Sequence, residues 1–237
     1  MRIALIGYGR MGREIEKIAL ERGHSLSLAI DMGNAPDLHQ LSRENSDVAI
    51  EFTVAASAPA NYLACFKAGV PVVSGTTGWL CEWDAVLAQC REWEGTFFYA
   101  SNFSVGVNLF FELSRKLALL MTGRPDYQPL IREIHHAGKK DAPSGTALTL
   151  AEGLLGALPG KTGWVSHAAP GEAEIPVLSE RTGDHPGTHT VAWESDDDIV
   201  EITHQAKSRR GFALGAVMAA EFCREHRGVL SMRDMLD

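Results

Sequence analysis

The sequence predicts an α/β protein, with a doubly wound parallel sheet in its amino-terminal part and a smaller α+β domain with an open mixed sheet after it. Short apolar runs alternate with helix-length segments over the first hundred residues, and a glycine-rich turn joins the first run to the first helical segment. Such alternation favours right-handed βαβ units and a parallel sheet covered on both faces. Strand-like stretches then follow one another closely, which favours a mixed or antiparallel sheet.

Five strands and three helices are predicted in the first part. The strands are residues 3–6, 26–30, 48–53, 70–74 and 96–100, and the helices are residues 11–22, 57–68 and 80–93. In the first helix Ile15, Ile18 and Ala19 recur on one face. Gly23 and Gly69 follow the first two helices, where glycine commonly ends a helix.

The second part opens with a long apolar helix, residues 108–121. The later strands are residues 130–135, 164–167, 175–180, 188–194 and 199–206, with a helix over residues 145–155. A final helix over residues 211–225, rich in alanine and glycine, is expected to pack back on the first domain. We therefore expect a dinucleotide-binding domain of residues 1–103 completed by 210–237, and a second domain of residues 104–209.

Composition and charge exclude several classes of protein. The 45% hydrophobic content is typical of a packed globular protein, and the net charge of −8 opposes a nucleic-acid or anionic-membrane partner. No apolar run is long enough for a transmembrane helix, and the first residues predict a buried strand rather than a signal peptide. The four cysteines show no zinc-site or redox-motif spacing, so we expect reduced thiols, a cytoplasmic location and no metal.

A dinucleotide site of Rossmann type is predicted where the first strand meets the first helix. The turn reads Gly7-Tyr8-Gly9-Arg10-Met11-Gly12, and Asp31 ends the second strand. Gly7 allows a tight turn, Gly9 lets a pyrophosphate approach the backbone, and Gly12 lets helix and strand pack closely. Asp31 is placed to accept hydrogen bonds from the adenosine ribose. The candidate cofactor contacts here are therefore Gly7, Gly9, Arg10, Met11, Gly12 and Asp31.

If the dinucleotide is a nicotinamide cofactor, NADH or NADPH, the sequence favours NADH. A carboxylate at Asp31 suits a ribose hydroxyl and repels a 2′-phosphate, while Met32 brings no positive charge. Arg10 in the glycine loop could still reach a phosphate, so both cofactors stay open.

A site for a small anion is predicted over residues 133–147, which read Glu-Ile-His-His-Ala-Gly-Lys-Lys-Asp-Ala-Pro-Ser-Gly-Thr-Ala. The amides of Ser144, Gly145 and Thr146 open a helix and can converge on a carboxylate. Lys139 adds a full positive charge. His135 is the candidate general acid, because the pKa of histidine lies near working pH and an adjacent dianion would favour its protonated form.

This stretch resembles the active-site signature of the dihydrodipicolinate reductase family, nicotinamide-dependent enzymes of diaminopimelate and lysine biosynthesis. The resemblance implies reduction of 4-hydroxy-tetrahydrodipicolinate to tetrahydrodipicolinate, a small dicarboxylate substrate. His135 would again be the proton donor, with Lys139 neutralising charge and His136 contacting a carboxylate. The family is usually tetrameric through the sheet of its second domain, which implies a homotetramer here.

Further segments match the same family. Gly75-Thr76-Thr77-Gly78 and the loop carrying Ser101, Asn102 and Phe103 resemble its nicotinamide-side loops, and Arg209 aligns with an arginine beside the cofactor. Phe103 could equally be a core residue. The short span between Asp31 and Asp47 departs from the family pattern and makes the adenosine side the least defined part of the site.

Some alternatives stay open. His189 and His204 look structural, as strand histidines hydrogen-bonded to backbone, and Asp141 could orient a lysine or histidine or cap the helix. Other functions compatible with the fold are another two-domain NAD(P)-dependent amino-acid or aldehyde dehydrogenase and a non-enzymatic NADH sensor.

Overall fold

The protein is described by a computed structural model that covers all 237 residues. The chain divides into two compact units, Met1–Val105 with Arg210–Asp237, and Gly106–Arg209. The first contains a six-stranded parallel sheet with helices, and the second contains a five-stranded mixed sheet. The predicted fold class is confirmed.

The first unit is built on parallel strands. They are β1 (Arg2–Ile6), β2 (Ser25–Ile30), β3 (Val48–Glu51), β4 (Val72–Ser74), β5 (Phe97–Tyr99) and, near the end of the chain, β11 (Val229–Leu230). Their order across the sheet is β11-β5-β4-β3-β1-β2. The order reverses between β1 and β3, and ligands of doubly wound sheets bind outside the carboxyl ends of the strands at such a point.

Helices cover both faces of this sheet. They are α1 (Arg10–Glu21), α2 (Ala58–Ala68), α3 (Trp83–Glu92), α6 (Arg210–Phe222) and α7 (Met232–Leu236). Ile15 and Ile18 of α1 pack with Ala216 and Val217 of α6 in one apolar layer. The aromatic residues of the other layer, which α2 and α3 cover, are Tyr62, Phe66, Trp79 and Phe97. Thus α6 belongs to the first unit.

Three short elements differ from the prediction. Met32–Gln40 is a 3-10 segment that the Asp31 side chain caps, β11 has only two residues, and α7 only five. The last two hold too few residues for a hydrophobic period to be visible, and Met32–Gln40 contains Pro36 and no buried residue that could show one. The predicted last helix ends at Phe222, three residues early, and Leu80–Glu82 forms a separate 3-10 turn before α3.

The second unit holds the mixed sheet. Its elements are α4 (Val105–Met121), β6 (Gln128–His135), α5 (Gly145–Ala157), β7 (Gly163–Val165), β8 (Glu174–Arg181), β9 (Thr188–Glu194) and β10 (Ile199–Gln205), with the strand order β10-β9-β6-β8-β7. Ile131, Val177 and Val191 meet Leu150 and Leu154 of α5 in one apolar core. The alternate residues of the strands, such as Arg132 and Glu201, lie on the opposite, open face. None of the helices in either unit has the length and apolar character of a membrane span.

Candidate active site

Strand register builds a polar cluster at the carboxyl end of β6. Glu133 lies directly opposite His189 of antiparallel β9 and Ser179 of parallel β8, and His135 lies opposite Arg181 of β8. Since side chains alternate along a strand, these residues all point to the helix-covered face. Glu133, His135 and His189 are buried there.

Glu133 is the centre of the cluster. Its Oε1 accepts hydrogen bonds from the Ser144 amide at 3.0 Å, from Ser179 Oγ at 2.7 Å and from Arg181 Nη2 at 2.7 Å. Burial alone would raise the pKa of Glu133, but the contacts with His189, Ser144, Arg181 and Ser179 outweigh it and hold the pKa well below its usual range. The carboxylate therefore stays ionised at neutral pH.

His135 is neutral at pH 7 in this structure. Burial, helped by His189, Lys139 and Arg181, lowers the pKa of His135 to about 4 against the opposing effect of Glu133. The sequence predicted a protonated imidazole beside a bound dianion, whereas the protein groups around His135, taken by themselves, favour the neutral ring. A negative charge placed beside the ring would raise this pKa.

His189 is a part of the cluster that the sequence did not identify. Its Nε2 lies 3.1 Å from Ser144 Oγ and 3.5 Å from Glu133 Oε2, so the expectation of a histidine hydrogen-bonded to backbone is wrong. Glu133 and Arg181 were also missed as site residues. The sequence does show that Glu133 and His135 are two residues apart and so share one face of a strand. It does not show which residues of β8 and β9 lie opposite them, because strand pairing is a long-range property.

His204 fits the structural expectation better. It is half-buried opposite His189 on β10, and its ring stacks on Phe110 at 6.1 Å. Burial and the nearby His189 lower the pKa of His204.

Ser144 caps α5 rather than offering its amide to a ligand. Its Oγ accepts a hydrogen bond from the Ala147 amide at 3.2 Å, and its own amide is engaged by Glu133. The expected three-amide anion site is corrected accordingly: in this state the Ser144 amide ties α5 to β6. A Cβ on Gly145 would meet nothing within 4 Å, so the helix start is open to an anion on that side.

Lys139 is held by Asp141, the acid whose role the sequence left open. Lys139 Nζ lies 2.7 and 2.6 Å from the two oxygens of Asp141. This contact, more than any other, lowers the pKa of Asp141. His136 begins the same loop and donates its amide to the His185 carbonyl at 2.9 Å. Arg181 donates to the Asp141 carbonyl at 2.6 Å and so joins the loop to the buried cluster.

A metal ion fits this cluster poorly. The donor atoms of Glu133, His135 and His189 lie within 4.8 Å of one another, a spacing that a metal could use. Glu133 is already compensated by Arg181 at 2.7 Å, however. A divalent cation would sit beside that guanidinium, which is electrostatically unfavourable, and we assign the cluster no metal.

The glycine loop of the first unit has the shape that a dinucleotide needs. A Cβ on Gly12 would lie 2.3 Å from the Gly7 carbonyl oxygen, so Gly12 allows the close approach of helix and turn, whereas a Cβ on Gly9 would meet nothing. Gly9 is also the N-cap of α1 and brings no side-chain cap to its amides. The residues therefore fit a phosphate group at this helix start.

Phe52, which no sequence motif indicated, contacts three of the predicted loops. A Cβ on Gly75 would lie 2.2 Å from its ring, and the Phe103 ring lies 5.7 Å from it. A Cβ on Gly7 would lie 2.0 Å from the Phe52 carbonyl oxygen. Phe103 itself is 2% exposed and belongs to the core, the alternative that the sequence left open.

Glu51 anchors the predicted Thr76. Glu51 is fully buried at the end of β3, and its carboxylate accepts hydrogen bonds from Thr76 Oγ1 at 3.0 Å and Ser74 Oγ at 2.7 Å. Thr76 Oγ1 in turn accepts from the Thr53 amide at 2.8 Å. The Thr76 side chain thus shapes its loop, while the neighbouring Thr77 is exposed.

The remaining predicted contacts lie at the surface or next to helix starts. Asp31 Oδ1 accepts from the Met32 amide at 2.8 Å, and Asn102 Oδ1 accepts from the Ser104 amide at 2.9 Å. Arg10 begins α1 and is exposed; Met11 beside it is half-buried. The other exposed residues of the predicted set are Ser101 and Arg209.

Family models match almost the whole chain. The model for "Dihydrodipicolinate reductase, N-terminus" matches residues 1–103, and the one for "Dihydrodipicolinate reductase, C-terminus" matches residues 106–236. The 4-hydroxy-tetrahydrodipicolinate reductase of Christiangramia forsetii is 49% identical over 236 residues, which cover 100% of this chain and 98% of that protein. The enzyme of the same name from Methanosarcina mazei is 38% identical over 239 residues, covering 99% and 88%.

Solved structures share the fold. The dipicolinate-bound dihydrodipicolinate reductase from Paenisporosarcina sp. TG-14 is similar with a TM-score of 0.78 at 22% identity, covering 98% of this chain and 97% of that one. A probable dehydrogenase from Thermotoga maritima has a TM-score of 0.59 at 10% identity, covering 100% and 92%.

Proposed function

Because the chain belongs to the dihydrodipicolinate reductase family, we propose that it reduces 4-hydroxy-tetrahydrodipicolinate to tetrahydrodipicolinate with NADH or NADPH, in diaminopimelate and lysine biosynthesis. The observation that carries the proposal is the full-length similarity to a curated reductase at 49% identity. The buried imidazole of His135 and the lysine loop that leads into α5 support it chemically.

His135 is proposed as the proton donor. When bound, the nicotinamide supplies the hydride, and the protein orients the reactants and places charge. A substrate carboxylate near His135 raises the pKa of the imidazole from its low value, so the proton enters the site with the substrate.

Substrate charge is met by the loop from His136 to Thr146. Lys139 exchanges its Asp141 partner for a substrate carboxylate, and His136 contacts the same or the second carboxylate. The start of α5 at Gly145 and Thr146 holds the other, since helix amides favour an anion there.

We propose NADH as the preferred cofactor. Asp31, at the end of β2 and exposed, supports a contact with ribose hydroxyls and opposes a 2′-phosphate. Gly7, Gly9 and Gly12 would hold the pyrophosphate with the start of α1. The other proposed cofactor contacts are Arg10, Met11, Gly75, Thr76, Thr77, Ser101, Asn102 and Arg209, while the buried Phe103 supports its loop from the core.

The open face of the second-unit sheet is proposed as the interface of a homotetramer. It carries the half-buried side chains Leu130 and Leu178 beside the exposed Arg132, and a concavity of about 590 Å³ lies on it. A second copy of the sheet would cover these apolar groups. A cytoplasmic location is proposed as well, and the four free thiols suit a reducing compartment.

Cofactor oxidation tests the proposal. The substrate is generated in the assay by the condensing enzyme that precedes this step, and kcat/KM is measured with NADH and with NADPH. We expect turnover with both and a higher kcat/KM with NADH. A higher kcat/KM with NADPH would contradict the cofactor preference, and no turnover with either would contradict the activity.

A further inference from the structure

The two oxygens of Glu133 have different surroundings. Oε1 accepts three hydrogen bonds, from the Ser144 amide, Ser179 and Arg181. Oε2 is buried and has none, although His135 Nδ1 lies 3.3 Å from it. His135 Nδ1 is itself buried and has no other hydrogen-bond partner. The two unpartnered atoms therefore face each other.

Only one tautomer of neutral His135 suits this geometry. An ionised carboxylate oxygen accepts hydrogen bonds and cannot donate, so Nδ1 must carry the hydrogen. The lone pair is then on Nε2, which is the atom that can take up a proton and pass it on. A Cβ on Gly187 would lie 3.0 Å from His135 Nε2, so glycine at that position leaves Nε2 unobstructed on this side.

His189 shares the same carboxylate oxygen. Its Nε2 lies 3.5 Å from Glu133 Oε2, and the two imidazole rings meet edge to face with centroids 4.9 Å apart. One anion thus lies beside two imidazoles, and the neighbouring His189 ring disfavours a proton on His135.

We propose that Glu133 and His189 are positioning residues that act through His135: Glu133 fixes the Nδ1–H tautomer, and His189 adjusts how readily His135 holds its proton. This inference rests on the proposed role of His135 as proton donor. It assigns no contact with substrate to either residue.

Glu133 and His189 affect the protonation of His135 in opposite directions. Glu133 on β6 favours the protonated imidazole, whereas His189 on β9, Arg181 on β8 and Lys139 in the following loop disfavour it. His189→Gln therefore makes His135 easier to protonate. Glu133→Gln makes it harder to protonate, and a fold defect alone would not produce shifts of opposite sign.

Glu133→Gln has a second, spectroscopic consequence. The Oε1 position is surrounded by three donors, so a glutamine there must place its carbonyl oxygen at that position and its NH2 group at the Oε2 position. That NH2 donates to His135 Nδ1 and forces the Nε2–H tautomer. Protonation of Nδ1 would then break the hydrogen bond from the glutamine NH2 group, so the charged ring is disfavoured.

The test uses the full chain with 15N-labelled histidine. Signals of His135 are assigned by comparison with His135→Gln, and its 15N shifts report the tautomer near pH 8. We expect Nδ1–H in the wild type and in His189→Gln, and Nε2–H in Glu133→Gln. The pH profile of kcat is recorded for the same proteins and for the matched control His204→Gln, which changes the histidine on the neighbouring strand.

The expected kinetics are specific. Glu133→Gln lowers kcat roughly 10- to 100-fold with little change in KM for the cofactor. His189→Gln moves the alkaline limb of the kcat profile upward by about half a pH unit or more, and His204→Gln moves it less. An unchanged tautomer in Glu133→Gln, or equal shifts in the two histidine variants, would overturn the proposal.

These variants distinguish a failure of the proposed roles of Glu133 and His189 from a failure of His135 as the proton donor. If Glu133→Gln does not fold, the comparison of His189→Gln with His204→Gln still decides on His189, and the wild-type tautomer decides on Glu133. If His135→Gln retains full activity, the proposed proton donor fails instead.

Discussion

Lys139 and Asp141 form an ion pair in which both carboxylate oxygens lie within 2.7 Å of the ammonium nitrogen. The lysine side chain is 22% exposed and the aspartate side chain 61%. A substrate carboxylate that binds Lys139 must therefore compete with the carboxylate of Asp141.

Asp141→Asn is expected to strengthen substrate binding. Removing the competing charge frees Lys139, and a partly exposed ion pair is worth up to about 1 kcal/mol, so KM for the substrate should fall roughly two- to fivefold. Steady-state kinetics check this, with the midpoint of thermal unfolding as the control for fold. A higher KM would mean that Asp141 orients Lys139 rather than competing for it.

Gly12→Ala and Gly9→Ala should separate folding from cofactor binding. Because a Cβ at Gly12 meets a backbone oxygen at 2.3 Å, the first change should cost about 1–3 kcal/mol of unfolding free energy. A Cβ at Gly9 meets nothing, so the second change should leave stability almost unchanged and weaken NADH binding roughly tenfold or more. Denaturant unfolding and calorimetric titration measure the two effects. Unchanged NADH affinity in Gly9→Ala would place the pyrophosphate elsewhere.

Dipicolinate binding should take up a proton. The pKa of His135 is about 4 in the free protein, and a bound dianion raises it. Between the free and bound pKa values the complex holds more protons than the free protein, so Kd should rise with pH, by up to about tenfold per unit. Titrations from pH 5 to 8 in buffers of different ionisation enthalpy measure the uptake. His135→Gln is the control: if the pH dependence is unchanged in that variant, another group takes up the proton.

The open sheet face should control assembly. Sedimentation velocity is expected to show four copies of the wild-type chain and a smaller species for Leu130→Arg, because Leu130 lines the concavity on that face. Leu20→Arg is the matched control, since Leu20 is 54% exposed on α1 of the other unit. A wild-type monomer, or a Leu130→Arg tetramer, would exclude this face as the interface.

Local patterns in the sequence predicted much of the fold. The alternation of apolar runs with amphipathic segments identified β1 to β5 and α1 to α3, and the closely spaced strands identified the mixed sheet. Two-residue β11 and five-residue α7 were missed because they carry no period. The carboxyl end of β3 was predicted two residues too late. Phe52 is apolar and Thr53 is β-branched, as strand residues commonly are, but both leave the sheet and shape the neighbouring loops.

The candidate site was predictable only where the residues are close in sequence. Loops 7–12, 75–78 and 133–147 were found from their motifs, and the identity of the chain's family confirms the reductase reading over the dehydrogenase and sensor alternatives. Glu51, Glu133 and His189 were not found. Each is defined by strand pairing or by burial, and a buried carboxylate in the sequence looks the same as an exposed one.

The most direct test of the central claim is kcat/KM for dihydrodipicolinate reduction in His135→Gln and Lys139→Ala, with circular dichroism and NADH affinity as controls for fold and cofactor site. We predict that both variants keep their fold and bind NADH normally. His135→Gln should lose roughly 100-fold or more of kcat/KM, as expected when a positioned proton donor is removed, and Lys139→Ala a comparable amount. Folded variants with kcat/KM near that of the wild type would contradict the assignment of the active site to this loop.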